Sequence, residues 1–213
     1  HGTMKCPFTD EGSEHSGIAS LVFGEEYIAA LGTRDEGSGP KLTLWRIDPE
    51  MCGLYDRRTL PDWTLLDIEK WPSTGASLAL DESGNYVIGG NLLVGTDPQP
   101  YLALLRADDL SLIWETTGEL GDEVAGVTRV PWPHEHIIMV GSRRTSKNPL
   151  RYDGLVQGFT TLGSTWVDVL AAPFTVDEPI PDDFNLRNEK VLAVDVNPDT
   201  LDVLTVGERE FQE

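Results

Sequence analysis

The segment PWPHEHII places two histidines, His134 and His136, two positions apart with one residue between them. Side chains alternate along an extended strand, so both imidazoles would point to the same side of it, about 7 Å apart. Such a pair can bind Zn²⁺ or Cu²⁺ when a carboxylate supplies a third ligand, although the spacing identifies no such carboxylate. The alternative is a surface histidine pair flanked by Pro131 and Pro133. The spacing therefore predicts a candidate metal site beside that simpler interpretation.

The acidic segment TVDEPIPDDFN is a second candidate for metal binding, because it contains Asp177, Asp182 and Asp183. With Glu178 and Asn185, these side chains offer the oxygen ligands that Ca²⁺ prefers. The segment lacks the D-x-D-x-D-G spacing of an EF-hand loop. A solvated connection between two structural units would have the same composition, so both interpretations stay open.

The segment SRRTSKNPLRYD is the one basic stretch of this sequence and carries Arg143, Arg144, Lys147 and Arg151. It could bind an acidic protein partner or the acidic surface of a second copy of the chain. Its many polar residues are equally typical of a mobile loop between two strands. We therefore expect either a docking loop or a simple connection here.

Motifs for covalent catalysis and for phosphate binding are absent from the sequence. It contains no G-x-S-x-G elbow, and neither cysteine has a recognisable catalytic context. The segment IGGNLLVG matches neither G-x-G-x-x-G nor a P-loop. Trp45, Trp114 and Trp166 are interpreted as packing residues rather than as a platform for a sugar or a cofactor. The sequence thus identifies no catalytic residue.

The charge of the chain limits its partners. It has 36 acidic and 16 basic residues, a net charge of −20 and a pI near 4.4. Such a surface repels phosphate backbones and anionic lipids, so we expect no nucleic-acid partner and no membrane-surface role. No apolar stretch approaches the ~18 residues of a membrane span. The acidity is typical of a soluble exported protein. The alternative explanation of the acidity is that carboxylate loops bind divalent cations.

Two further features bear on the cellular compartment. Cys6 and Cys52 could form a disulfide, and closing that loop of about 46 residues would stabilise the fold by about 4 kcal/mol in the chain-entropy model. The alternative is two unrelated buried thiols. The opening HGTM resembles the end of a purification tag, so residues 1–15 are assigned to a tag remnant and an N-terminal segment. We expect a secreted, periplasmic or cell-surface protein.

Short apolar runs with a period close to two predict an all-β fold. The runs SLAL, YVIGG, YLALL and LSLIWE, for example, are separated by polar stretches, and the 21 glycines and 14 prolines are scattered between such runs. A glycine ends the second run of each successive unit. These glycines are Gly32, Gly90, Gly141 and Gly207.

Units of about 40–60 residues with four short strands each are typical of β-propeller blades. The predicted blades span residues 16–60, 63–117 and 123–170, and a partial blade spans 190–213. They amount to about 14 strands or about 3.5 blades, whereas a closed propeller has at least about four. A second chain or a second copy would complete the ring, and two copies could form seven blades. The alternative fold is a β-sandwich with irregular hairpins.

The segment GNYVIGGNLLVGTDPQPYLALLRADDLSLIWE resembles the repeats of seven-bladed β-propellers in exported bacterial proteins. Its pattern of YV-x-G, a loop, -x-L-x-R-x-D and -x-x-W is also similar to quinoprotein-like (PQQ-type) repeats. The resemblance is clear over 74–117, fair over 16–60 and 123–170, and partial over 190–213. It implies four-stranded blades in an exported or surface bacterial protein. It implies no single activity, because these motifs are structural.

The missing catalytic set favours a non-catalytic binding or interaction module as the function. A metal-dependent enzyme or metalloprotein, with Ca²⁺, Zn²⁺ or Cu²⁺ bound at the propeller channel, is the first alternative. A structural subunit that completes its propeller with another chain is the second alternative, because unpaired edge strands promote aggregation. The sequence selects a ligand for none of the three.

Overall fold

The computed structural model describes most of the chain. The described residues are 15–24, 26–35, 40–64, 77–130, 136–147, 150–160, 186–197, 199–200 and 202–211. Within these ranges the chain forms thirteen β-strands and no helix, so the prediction of an all-β fold is confirmed. Across the same residues, no helix has the length and apolar character that crossing a bilayer requires.

The strands form three sheets. Sheet 1 contains β1 (His15–Phe23), β2 (Ile28–Asp35), β3 (Pro40–Ile47) and β4 (Leu54–Thr64). Sheet 2 contains β5 (Ser77–Leu80), β6 (Tyr86–Val94), β7 (Asp97–Leu105) and β8 (Leu112–Thr117). Sheet 3 contains β9 (Glu123–Val130), β10 (His136–Lys147), β11 (Leu150–Thr160), β12 (Leu186–Val196) and β13 (Val203–Phe211).

Neighbouring strands pair in chain order. Sheets 1 and 2 are antiparallel throughout, in the orders β1-β2-β3-β4 and β5-β6-β7-β8. In sheet 3, β9, β10 and β11 form one antiparallel group, and β12 and β13 form an antiparallel hairpin that we call the last hairpin. A single parallel bridge, Tyr152 with Asn188, joins the two groups. The described sheets therefore form an open series and do not close into a ring.

Alternating side chains give sheet 2 two buried faces. Along β6, Tyr86 and Ile88 belong to an apolar cluster shared with sheet 1, whereas Val87 belongs to a cluster shared with sheet 3. Along β7, Tyr101 and Leu102 divide in the same way. Because successive side chains point to opposite faces, a strand covered on both sides is apolar at nearly every position. The runs YVIGG and YLALL have this composition.

The sheets stack through their first strands. Strand β5 packs on β1 and β2, β9 packs on β5 and β6, and β12 packs on β9 and β10. A third apolar cluster, which includes Val140 and Val194, lies between strands β9–β11 of sheet 3 and the last hairpin. Each fully buried aliphatic side chain stabilises the fold by roughly 1.5–3 kcal/mol. Burial between neighbouring sheets therefore holds the series together.

Three of the recurring glycines lie opposite β-bulges. The pairing register shifts where Gly32 meets β1, where Gly141 meets β9 and where Gly207 meets β12. At each position a Cβ atom would collide with a carbonyl oxygen of the neighbouring strand. Glycine is required there because a bulge brings the two backbones close together. The fourth glycine, Gly90, lies one residue beyond the described pairing of β5 with β6.

Two segments predicted as polar loops are strands. SRRTSKNPLRYD belongs to β10 and β11, whose pairing continues as far as Lys147 and Leu150. NLLVGTDPQP belongs to β6 and β7, with only Gly95 and Thr96 in the turn. These predictions were wrong because a long hairpin continues its backbone pairing past the buried region, where polar side chains resemble a loop. The end of the predicted third blade, from residue 161 to 170, lies outside the described residues.

Candidate functional site

The structure describes only one of the predicted metal ligands. His136 is the first residue of β10 and is half-buried, and His134 lies outside the described residues. The acidic residues of the second candidate site also lie outside them; these are Asp177, Glu178, Asp182, Asp183 and Asn185. Within the described part of the chain, no three His, Cys, Asp or Glu side chains cluster as metal ligands would. The metal sites stay predictions.

The cysteines and tryptophans are described in part. Cys52 lies in the turn between β3 and β4 with a φ of 55°, and Cys6 lies outside the described residues, so their pairing stays a prediction. Trp45 is buried on the face of sheet 1 that points away from sheet 2. Trp114 packs against the cluster between sheets 2 and 3, and Trp166 lies outside the described residues. The two described tryptophans are packing residues, as predicted.

The basic segment binds acidic groups of the same chain. Arg144 donates to both carboxylate oxygens of Asp97, at 2.6 and 3.3 Å, and Lys147 lies 3.3 Å from the same carboxylate. Arg143 lies 3.5 Å from the buried Asp122. Asp97 belongs to sheet 2 and the basic residues belong to β10. These cations therefore join two sheets of one chain, and the loop predicted to bind a partner is part of this junction.

A cavity of about 530 Å³, which we call the aromatic cavity, opens where the turns that follow β1 and β5 meet. Its lining residues come from four separate parts of the chain. The residues that matter below are Phe23, Glu26, Tyr27, Asp81, Glu82 and Arg129. The volume lies within the range of about 300–1,000 Å³ that is usual for small-molecule sites.

The β5–β6 turn is a rigid wall of this cavity. Asp81 accepts hydrogen bonds from the backbone N–H groups of Ser83 and Asn85, at 2.9 and 2.8 Å, and from the Asn85 side-chain amide at 2.9 Å. Asn85 in turn accepts a bond from the Ala107 N–H at 3.1 Å, which ties the turn to the next one. Gly84 has a φ of 79°, a conformation that suits glycine. The turn is therefore held by its own side chains.

Behind the cavity lies a buried arginine. Arg46 donates to both carboxylate oxygens of Asp56 and to the carbonyl oxygens of Ala107 and Asp108, and its side chain is only 2% exposed. Its guanidinium lies 5.2 Å from the centroid of the Tyr27 ring. This distance permits a cation–π interaction. Arg46 thus fixes sheet 1 on sheet 2 and supports a wall of the cavity.

Two tyrosines that line the cavity, Tyr27 and Tyr86, stay neutral at physiological pH. A hydrogen bond with Tyr55 raises the pKa of Tyr27 to about 12, and the two ring centroids are 4.5 Å apart. Burial raises the pKa of Tyr86, which also lines the cavity. Negative charge in the aromatic cavity therefore comes from carboxylates alone.

Carboxylates outnumber cations in the cavity lining. Glu26, Asp81 and Glu82 face a single lining cation, Arg129. The hydrogen bonds to Asp81 come from neutral amides, so they leave its charge in place. Arg46 adds no net charge, because Asp56 balances it. The described lining is consequently aromatic and has a formal charge of about −2 by this count.

A second cavity of about 500 Å³ lies between sheets 2 and 3 at the other ends of their strands. Its lining includes Glu119, Asp122, Arg143 and Gln157, with no aromatic side chain among the residues identified there. Burial raises the pKa of Asp122, which accepts a 3.0 Å hydrogen bond from the Arg144 N–H. Because Arg143 also pairs with Asp122, two of the three charged side chains in this described lining already bind one another.

Sequence patterns did not identify the residues of the aromatic cavity. Phe23 and Tyr27 flank one turn, Asp81 opens another, and Arg129 lies near the end of β9. One usable signal was present: Arg46 is a charged residue inside the apolar run KLTLWRI. A buried arginine needs partners, so this position could have been marked as a structural or functional centre.

Comparisons with known proteins identify no family. No family model matches the chain, and no curated protein matches it. Among solved structures, a hypothetical protein from Leishmania major is similar, with a TM-score of 0.46 and 10% sequence identity. The match covers 95% of this chain and 62% of that chain, so this chain spans less than two thirds of the other's length.

Proposed function

We propose that the protein is a non-catalytic binding module whose ligand occupies the aromatic cavity. The cavity itself is the observation that carries this proposal: about 530 Å³ in volume, walled by two tied turns and lined by exposed and half-buried aromatic rings. Pockets of this size that combine apolar surface with a few polar groups are the usual place for small ligands. A secreted, periplasmic or surface location is part of the proposal.

The proposed architecture is a β-propeller-type arrangement of blades. Its support is the repeated packing, in which each new first strand lies on the first two strands of the sheet before it. The glycines opposite bulges at three equivalent hairpins also support it. A β-sandwich-like stack is the other arrangement compatible with open antiparallel sheets. In a propeller, first strands line the axis, so the aromatic cavity would lie at one mouth of the channel.

Fragment screening by NMR tests the binding function. A mixture of small amines, carboxylates, sugars and aromatic fragments is added to the ¹⁵N-labelled full chain. We expect the largest shift changes at the backbone amides of Glu26, Tyr27, Glu82 and Gly84. If no fragment class changes these amides, or if all changes fall at Glu119 and Arg143, the aromatic cavity is not the binding site.

Exposed apolar side chains favour a structural role as a second candidate function. On β1, Ser20 and Val22 face sheet 2, so the 52% exposed Leu21 lies on the outward face of the first sheet. On β13, the 61% exposed Leu204 and the 66% exposed Val206 lie on the outward face of the last hairpin. Apolar surface of this kind often marks a protein interface.

The repeated packing supports a second copy of the chain as the occupant of this surface. In each described junction, the first strand of one unit packs on a hairpin of the unit before it. Among the described first strands, β1 alone packs on no such hairpin. The β1 face of one copy would thus cover the last hairpin of the other, and the reverse contact would close a ring. Light scattering after size exclusion should give a dimer, which Leu204→Glu converts to a monomer and Leu112→Glu, on β8, leaves intact. A monomeric parent protein would contradict this proposal of a dimer.

A further inference from the structure

We infer that β1 of a second copy packs on the last hairpin in one register, with its Leu21 side chain against Val206 and its Leu21 N–H group facing Ala193. This inference rests on the structural role proposed as the second candidate function, and it adds the residues and the register of the contact. Its basis is a set of equivalent positions in the first strands β1, β5, β9 and β12.

A small residue occupies an equivalent position in each of these four strands. In β1, β9 and β12 one residue bulges out of the pairing directly before Ser20, Gly126 and Ala193. In β5, Ser77 accepts a hydrogen bond from the next first strand, as Ser20 does. We call these four residues the small positions. A small side chain is required there because the backbone of the next first strand lies directly over it, and Ala193 keeps this pattern although its side chain is exposed.

The residue after each small position contacts the preceding sheet. The Leu78 N–H donates to the Ser20 hydroxyl at 3.2 Å, and the Val127 N–H donates to the Ser77 hydroxyl at 3.0 Å. Leu78 and Val127 each directly follow the small position of their own strand, and they are only 5% and 6% exposed. Leu21 follows Ser20 in the same way but is 52% exposed. It is therefore equipped for a junction that the described sheets do not make.

The cross-strand partners of the small positions mark the receiving surface. These partners are Leu31, Gly89, Val140 and Val206. Leu31 and Val140 are completely buried, and a Cβ atom on Gly89 would collide with the Val127 side chain. Val206 is instead 66% exposed. The geometry of the described junctions therefore places Leu21 of a second copy over Val206.

The two exposed faces complement each other and not themselves. The β1 face provides the residue that follows a small position, whereas the last hairpin provides a small position together with its cross-strand partner. A contact between two different surfaces of the same chain is head-to-tail. Two copies cover both faces only when this contact is made twice, which is the closed arrangement of the proposed dimer.

Paired cysteines test the register. Leu21→Cys and Val206→Cys are introduced together in the full chain, which is then oxidised mildly at high protein concentration. We expect a disulfide between position 21 of one copy and position 206 of the other, and peptide mapping distinguishes it from any bond of Cys6 or Cys52. Leu21→Cys with Leu204→Cys is the matched control, because position 204 lies two residues along the same face, about 7 Å away and beyond the reach of a disulfide. It should give at least about tenfold less of the cross-link.

Ala193→Ser tests where the Leu21 N–H group lies. The alanine offers no acceptor, whereas Ser20 and Ser77 accept a hydrogen bond at the equivalent contacts. The added hydroxyl should therefore lower the dissociation constant of the dimer at least about fivefold, as measured by sedimentation equilibrium. Ala193→Leu should raise it at least about tenfold, because a large side chain does not fit beneath the incoming strand. Gly53→Ser is the control and should leave the constant unchanged, since nothing lies within 4 Å of its added Cβ atom.

Other outcomes overturn the inference in distinguishable ways. A dimer that cross-links better through position 204, or that Ala193→Ser does not tighten, would keep the structural role and refute this register. A cross-link within one chain would show that the chain closes on itself and would refute the second copy as occupant. A parent protein that stays monomeric at every concentration, with no cross-link, would refute the structural role together with the register.

Discussion

The two junctions between neighbouring sheets bury polar groups of opposite character. At the first junction, between sheets 1 and 2, the charged Arg46 reaches the carbonyl oxygens of Ala107 and Asp108. At the second junction, between sheets 2 and 3, the neutral Asn91 donates to the Val124 carbonyl at 2.8 Å and accepts from the Val124 N–H at 2.7 Å. Both side chains are 2% exposed. The fully buried contact is thus made once with a charge and once without, and the second junction adds the ion pair of Arg144 with the partly exposed Asp97.

The difference follows from what each site can supply. Arg46 has a carboxylate, Asp56, within its own sheet, and that carboxylate is 35% exposed. Water therefore offsets part of the cost of burying the ion pair. Asn91 faces the backbone amide and carbonyl of Val124, and one side-chain amide satisfies both. A charged junction thus suits the site near solvent, and an amide suits the sealed one.

One feature is common to both junctions. The Ser20 hydroxyl accepts a hydrogen bond from the Leu78 N–H at 3.2 Å, and the Ser77 hydroxyl accepts one from the Val127 N–H at 3.0 Å. Each serine lies in the first strand of its sheet, and the N–H group that donates to it lies in the first strand of the next sheet. The junctions therefore share a weak polar contact and differ in the strong one.

Arg46→Ala should give the largest loss of stability. It leaves Asp56 without its partner and two partly buried carbonyl oxygens without this donor, so we expect a loss of about 4 kcal/mol in the free energy of unfolding. Urea unfolding followed by tryptophan fluorescence measures it. Arg106→Ala, at an exposed position of the β7–β8 turn, is the control and should change stability by less than about 0.5 kcal/mol. A loss below about 1 kcal/mol for Arg46→Ala would show that its charge does little at the first junction.

Asn91→Ala should be the next most harmful change. It leaves the buried N–H and carbonyl of Val124 unsatisfied together, which costs about 3 kcal/mol. Thr96→Ala, in the exposed β6–β7 turn, is the control. The same urea experiment applies, and amide exchange should accelerate first in sheet 3. A loss greater than that of Arg46→Ala would reverse the ranking of the two junctions.

Gly141→Ala tests the glycine opposite a bulge, a feature that does not differ between the two junctions. Its new methyl group would collide with the Glu123 carbonyl oxygen, so the strands must separate at a cost of about 2 kcal/mol. Gly53→Ala is the matched control, because nothing lies within 4 Å of the added Cβ atom. Thermal unfolding should show a lower melting temperature for Gly141→Ala alone. Equal melting temperatures for both variants would mean that the bulge adapts without strain.

Ser20→Ala and Ser77→Ala should have small and similar effects. Each removes one acceptor from a backbone N–H at a sheet junction, for a loss of about 1 kcal/mol. Equal losses would confirm that the serine contact is common to the two junctions. A loss for Ser77→Ala several times that for Ser20→Ala would place most of the polar stabilisation at the second junction.

Acid should weaken the outer part of the second junction. Hydrogen bonding to Arg144 is the main reason that the pKa of Asp97 lies below its ordinary value of 3.8. A carboxylate whose pKa falls on folding stabilises the protein above its unfolded pKa and loses that effect as the pH falls through the folded pKa. The difference in melting temperature between the parent and Asp97→Asn should therefore be constant above about pH 5 and shrink below 3.8. A difference that persists throughout the acid range would contradict this.

Much of the local structure could be predicted from the sequence. The DESGN segment is a hairpin turn because Asp81 accepts hydrogen bonds from the N–H groups that follow it, a property of short acidic side chains. NPDT near the last hairpin works in the same way, since Asn197 accepts a 2.9 Å bond from the Asp199 N–H. The glycines Gly32 and Gly141 were visible as a recurring feature, and their opposing bulges were not.

The extent of the strands and the sites was harder to predict. Arg144 and Lys147 were assigned to a polar loop, yet both lie in β10, because Asp97 of another sheet pairs with them. Asp97 lies 50 residues before Lys147 in the chain. A local pattern contains no information about such a partner.

The sequence by itself determined the all-β class, the turns and the positions of most apolar runs, because alternation and turn chemistry depend on residues a few positions apart. Only the tertiary structure decided which side chains meet. Phe23, Asp81 and Arg129 border one cavity because three sheets stack through their first strands. The order of stacking sets which turns become neighbours, and it depends on burial across whole sheets. The candidate site is therefore a property of the packed sheets, and no single segment contains it.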